Sequence, residues 1–178
     1  MSVLIDTAVL GEILKPGSEG ARWARRWLVH EPIHVSAISV FEVAFGFQQA
    51  VVQALRREHD SQASQWRSRA EQFASFVRQE SFAVCPYGLD AAVVASYLYA
   101  RAPTPSPAGW RRTRARKKSK TEIRRSWLLD VKIAATAISL GKPILTTNVA
   151  DFSELGGLLP AEWALQVLKF PDQAPQHL

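Results

Sequence analysis

Short apolar runs at residues 3–5, 33–36, 82–85 and 144–147, set between longer stretches of helical spacing, constrain this chain most. Runs of three or four residues closed by polar or turn residues read as buried strands, and 163–168 offers another. Helices are predicted at 7–14, at 19–29 with Trp23 and Trp27 one turn apart, from a cap at Ser36 or Ser39 to Leu55, and at 65–80, 90–102 and 122–140. The polar patch 56–64 is expected to separate two of them. Strands alternating with helices predict an α/β domain with a mainly parallel sheet, and right-handed crossovers place helices on both of its faces. In such sheets ligands bind beyond the carboxyl ends of the strands. The residues that close each run are therefore where a site is sought.

The chain has 178 residues, 47% of them hydrophobic and 21% charged, which suits one folded domain and excludes disorder as its main state. We expect that domain over 1–170, with a polar tail at 171–178. The lone cysteine, Cys85, excludes an internal disulfide and any zinc site built on paired cysteines. The first residues lack a basic leader, and no apolar stretch is expected to approach the length of a membrane span. A cytoplasmic protein with no membrane partner is the expectation.

The net charge of +6 is local. Residues 111–125 hold nine Lys or Arg and one acid, which leaves 13 basic and 15 acidic residues elsewhere. The body is nearly neutral, and one segment carries the excess. Such a run marks either a polyanion contact or a solvated loop. It follows a proline-rich break at 103–109, and together they read as an exposed, mobile loop inserted at 103–125.

Four carboxylates stand out. Asp6 closes the first strand, where an aspartate either caps the following helix or belongs to a site. A dehalogenase-like phosphatase would need a second aspartate two residues on, and Ala8 stands there. On a helical wheel Asp130 lies opposite the polar stripe Lys132, Thr136 and Ser139, among Ile133, Ala134 and Ala137. A carboxylate on an apolar face must find a cation or donors. Glu42 has no Lys or Arg three or four residues away, and Gly46 leaves room beside it. Thr146, Asn148 and Asp151 crowd the end of the fourth strand, either as cap and turn chemistry or beside Asp6 across the sheet. Separated carboxylates with hydroxyl and amide support suit a hard cation such as Mg²⁺. His30, His34, His59 and His177 lie apart from these elements in sequence, and no Walker-type phosphate loop occurs.

These segments also carry a family likeness. Val-Leu-Ile-Asp-Thr-Ala-Val-Leu resembles the first strand and helix of PIN domains. Val-Ser-Ala-Ile-Ser-Val-Phe-Glu-Val-Ala-Phe-Gly is similar to their second acidic segment, which places Glu42. Leu-Asp-Val-Lys-Ile-Ala-Ala-Thr-Ala resembles the third and places Asp130; Ile-Leu-Thr-Thr-Asn-Val-Ala-Asp-Phe resembles the last and places Thr146, Asn148 and Asp151. Together they run in the family's order from Val3 to Phe152, and their local style most resembles the VapC toxins of type II toxin–antitoxin modules.

The resemblance implies a PIN-like three-layer α/β/α sandwich and a Mg²⁺- or Mn²⁺-dependent endoribonuclease. It also implies a homodimer inhibited by a small cognate antitoxin. On this reading Asp6 and Asp130 are the main metal holders, and Glu42 is a ligand, direct or through water, or orients water. Asp151 belongs to an outer shell or a second metal, and Thr146 and Asn148 orient carboxylates or a phosphate oxygen. Arg112, Arg114, Arg116, Lys117, Lys118 and Lys120 are the expected RNA contacts. The alternatives are a PIN-like module that binds RNA or protein without cutting, and an RNA-processing PIN nuclease with no antitoxin. Two features depart from the family pattern: Ala8, where an asparagine is frequent, and the 103–125 segment itself.

Overall fold

The computed structural model describes residues 2–79, 82–109 and 119–172. The first half of the chain runs β1 (Leu4–Ile5), α1 (Thr7–Ile13), α2 (Glu19–Trp27), β2 (Ile33–Ser36), α3 (Ala37–Arg56) and α4 (Asp60–Val77). The second runs β3 (Phe82–Cys85), α5 (Leu89–Arg101), α6 (Lys120–Ser139), β4 (Ile144–Thr146), α7 (Val149–Gly156) and β5 (Val167–Lys169). The strands form one all-parallel sheet in the order β3-β2-β1-β4-β5.

Side-chain alternation along the strands divides the core between the two faces. Val3, Ile5, Ile33, Val35 and Leu145 pack with α1, α2, α3 and α4. Leu4 and Ile144 pack with α5, α6 and α7. This is the α/β/α sandwich expected from the PIN likeness. Strand order reverses at β1, so the crevice beyond the carboxyl ends of β1 and β4 is the topological switch point. Ile5 lies opposite Leu145, which puts the next residues, Asp6 and Thr146, on one rung at the mouth of that crevice.

The structure departs from the sequence expectations in several places. Helix α4 begins at Asp60, so most of the polar patch is helical. Its first turns are largely solvent-exposed and show no apolar period to read. The α3–α4 turn is only Arg57-Glu58-His59, with Glu58 in the left-handed region at φ 58°. Of the strand expected at 163–168, Val167 and Leu168 lie in β5, whereas Trp163 meets the Tyr97 ring edge-on at 5.1 Å. The supposed polar stripe of α6 also fails at Thr136, which is fully buried and within 3.5 Å of the Ser36 hydroxyl. Ile133, Ala134, Ala135 and Ala137 are buried with it, so this half of α6 is enclosed all round.

Helix α3 does meet the length and apolarity of a membrane span, contrary to expectation. Part of its apolar surface packs within the fold, while Phe41, Val52 and Leu55 are exposed. Val40, Val43, Ala44 and Phe47 face the first core cluster, and Val51 and Ala54 pack on Ala63 of α4. The proline-rich segment is anchored where a mobile loop was expected. Ser106 donates its N–H and its hydroxyl to the two carboxylate oxygens of Glu154 on α7, at 2.7 and 2.8 Å. Pro105 is buried, and the indole of Trp127 donates to the Ala102 carbonyl at 2.7 Å.

Candidate functional site

Asp6 leaves β1 in extended conformation and becomes the N-cap of α1. One carboxylate oxygen, Oδ1, accepts from the Val9 N–H at 2.8 Å. The other, Oδ2, accepts from the Thr146 hydroxyl at 2.5 Å. The two sequence readings of Asp6 are thus compatible, since one oxygen caps the helix and the other faces β4. Only 4% of Asp6 is exposed. Burial pushes its carboxyl from 3.8 up to about 6, against the hydrogen bonds from Thr146, Val9 and Ala8; the charge of Glu42 pushes it the same way as burial.

Thr146 is fully buried at the last position of β4. Its single proton goes to Asp6, so its oxygen is left to accept, and it accepts from the Asn148 N–H at 2.8 Å. The Asn148 side chain donates to Asp151 Oδ2 at 2.8 Å. Asn148 thus donates both ways, through its side chain to Asp151 and through its backbone to Thr146, which in turn donates to Asp6. Asp151 stands in the first turn of α7, where the helix dipole favours a negative charge.

Glu42 reaches the same place from α3. Thr7, the residue after Asp6, donates its hydroxyl to Glu42 Oε2 at 2.5 Å. Ser39, one turn before Glu42, is fully buried, and its hydroxyl has no hydrogen-bond partner among the described residues. Asp130 is half-buried on α6, between Leu129 and the fully buried Val131. Asp6, Thr7, Glu42, Thr146, Asn148 and Asp151 are tied by these bonds and by the Asp6–Glu42 repulsion. Among the described residues, however, no three His, Cys, Asp or Glu side chains gather at metal-holding separation.

An open cleft of about 330 Å³ extends from Glu42. Glu42, Phe45, Gly46 and Gln49 line it from α3, and Glu122, Arg125, Ser126 and Leu129 from α6. Each set follows the i, i+3, i+4, i+7 spacing of one helical face. Asp130 is the next residue of the α6 row, four after Ser126. The Arg125 guanidinium lies over the Phe45 ring, 4.3 Å from its centroid.

The model of the PIN domain family matches residues 3–158. The chain belongs to the PIN domain family. PIN domains are nucleases. No curated protein sequence matches the chain. Solved structures do. VapBC2 from Rickettsia felis, bound to a DNA fragment of its promoter, is 13% identical with a TM-score of 0.57; the match covers 96% of this chain and 99% of that one. DNA-bound VapBC from Salmonella typhimurium is 16% identical with a TM-score of 0.58, over 95% and 98% of the two chains. FitAcB from Neisseria gonorrhoeae is 20% identical with a TM-score of 0.57, over 93% and 95%. At these identities the likeness is one of fold.

In this PIN domain, sequence reasoning missed Thr7 and Ser39, and placed Arg125 in the basic run without naming it as a contact. Thr7 directly follows the strand-end acid, and Ser39 is one turn from Glu42, but neither position reveals a contact across the sheet. Of the expected RNA contacts, Lys120 is the exposed first residue of α6. Arg112, Arg114, Arg116, Lys117 and Lys118 lie outside the described residues.

Proposed function

We propose that this PIN domain is an endoribonuclease dependent on Mg²⁺ or Mn²⁺, acting as the toxin of a two-protein module restrained by a small antitoxin. The observation that carries this reading is Asp6, a buried carboxylate at the switch point, oriented by Thr146 and set against Glu42. The donors fit a hard cation. They are carboxylate and hydroxyl oxygens, two like charges face each other, and the buried Ser39 hydroxyl lacks a partner among the described residues. Asp6 and Asp130 would hold the cation, and Glu42 would be a ligand or orient water. Asp151 would act from further out, through Asn148 and Thr146. When bound, such a cation polarises a phosphoryl oxygen and lowers the pKa of water. The chain's own part is orientation: Thr146 fixes one oxygen of Asp6, Val9 the other, and Thr7 fixes Glu42.

The VapBC structures that share the fold support an antitoxin partner. An apolar strip of Leu89 and Val93, one turn apart and 80% and 51% exposed, supports pairing with a second copy. The test is cleavage of a panel of RNAs by purified protein, with and without Mg²⁺ or Mn²⁺, beside Asp6→Asn. Cation-dependent cutting by the parent and none by the variant is expected. RNA binding without cutting under any cation would instead make the chain a binding module.

A further inference from the structure

We propose that the cleft between α3 and α6 takes the RNA strand next to the acids, and that Arg125 is the positioning residue that grips a phosphate there. The inference deepens the nuclease reading and rests on it for the identity of the ligand. A phosphate approaching Glu42 meets like charge, and the cleft has a second acid in Glu122. Glu122 is turned back toward its own helix, where Oε2 accepts from the Ser119 N–H at 2.7 Å in a capping box. Arg125 supplies the positive charge of the lining, one turn along α6 from Leu129.

Its placement suits gripping more than general attraction. The guanidinium carbon lies over the Phe45 ring, which holds the group against α3, and its donors all lie in the guanidinium plane. A planar fork held in this way matches phosphate oxygens in pairs and loses little side-chain freedom on binding. Phe45 is three residues beyond Glu42, a rise of about 4.5 Å along α3. Arg125 is thus set beside the acids and not among them, so it holds the strand on one side of the reacting phosphate. The Gln49 amide on α3 and the Ser126 hydroxyl on α6 add neutral donors to the lining.

The experiment compares the parent with Arg125→Gln, Arg125→Lys and Phe45→Leu. It reads the Kd of a labelled single-stranded RNA oligonucleotide in EDTA across a salt series, and kcat and KM in Mg²⁺. Arg125→Gln should raise Kd and KM on the order of tenfold. It should also flatten the log–log salt slope by about 0.7, the share of one phosphate, with kcat little changed. Arg125→Lys should recover the slope but not the affinity, because it keeps the charge and loses the fork. Phe45→Leu should weaken binding while leaving the slope alone. Unchanged Kd, KM and slope in Arg125→Gln, or no binding by the parent in either buffer, overturns the proposal; the former would give the cleft to a protein ligand. A parent that binds through Arg125 yet never cuts refutes the nuclease reading and leaves this one standing. A parent that cuts with a KM indifferent to Arg125 does the reverse.

Discussion

The Thr146 hydroxyl donates to Asp6 Oδ2 across 2.5 Å and 140 residues of sequence, so the end of β4 sets the orientation of the acid that ends β1. Parallel pairing produces this contact. Ile5 and Leu145 are partners in register, and each strand delivers its next side chain to the same edge of the sheet. Because Thr146 is fully buried, its oxygen has no water to fall back on, and both of its bonds depend on the protein.

Replacing Thr146 with Val keeps the shape and removes both bonds. The Asn148 N–H loses its acceptor, and Asp6 loses a donor that favours its charged form. We expect a loss of about 1–3 kcal/mol in urea unfolding at neutral pH. The Asp6 carboxyl should also move further up than it already stands. Thr146→Ser keeps the hydroxyl and is the control. Equal stabilities for the Val and Ser variants would show that the hydroxyl contributes nothing.

Asp6 also makes stability depend on pH in the direction opposite to a salt-bridged aspartate. Its carboxyl titrates near 3.8 in the unfolded chain and at about 6 in the folded one. Between those values the folded state binds more protons, so stability falls as pH rises from about 4 to about 6 and then levels. The contribution of this group is on the order of 3 kcal/mol. Asp6→Asn still caps α1 through its amide oxygen and cannot titrate, so its profile in EDTA should lack that descent. Urea midpoints for both proteins from pH 4 to pH 8 decide the matter. Parallel profiles would mean that Asp6 is ionised throughout.

What was legible in the sequence was whatever depends on near neighbours. β2 and β3 occupy the residues expected of them, because each is an apolar run between turn residues. The acid at the end of β1 was also legible, since a charge closing a buried strand is conspicuous by itself. Contacts between distant segments left no local trace. Nothing near Thr7 announces Glu42, 35 residues away, and nothing in the proline-rich segment announces Glu154, 48 residues from Ser106. Composition alone made that segment look loose. Thr136 was misjudged for a related reason: a threonine in a helix satisfies its hydroxyl on the carbonyl four residues back, here Lys132 at 2.9 Å, and so can be buried while reading as polar.

Asp130 is tested through cation binding. A cation that binds only the folded chain stabilises it by about 2.7 kcal/mol at a hundredfold excess over Kd. Millimolar Mn²⁺ or Mg²⁺ should therefore raise the melting temperature of the parent more than that of Asp130→Asn. Without cation the variant should be as stable as the parent or slightly more so, because a charge on a half-buried position has been removed. Equal shifts in the two proteins would remove Asp130 from the cation site.

The basic segment is the remaining question, and the described residues on either side of 110–118 are held. Ser106 is fixed by Glu154 on one side, and the capping box of Ser119 and Glu122 starts α6 on the other. If this stretch contacts RNA, it supplies affinity and not chemistry, because Lys and Arg contacts to phosphate position a strand without reading or cutting it. Suppose about four of its nine basic residues neutralise phosphates; the log K against log[salt] slope then gains roughly −3. Replacing Arg112, Arg114, Arg116, Lys117, Lys118 and Lys120 with Ser or Gln should flatten the slope by that amount and raise KM on long RNA. Turnover at saturating substrate should stay close to the parent's, since the carboxylates are untouched. The change should also exceed that of Arg125→Gln several-fold in slope, which separates a diffuse contact from a single grip. A neutralised variant with the parent's slope and KM would assign the segment to a partner protein or to solvent.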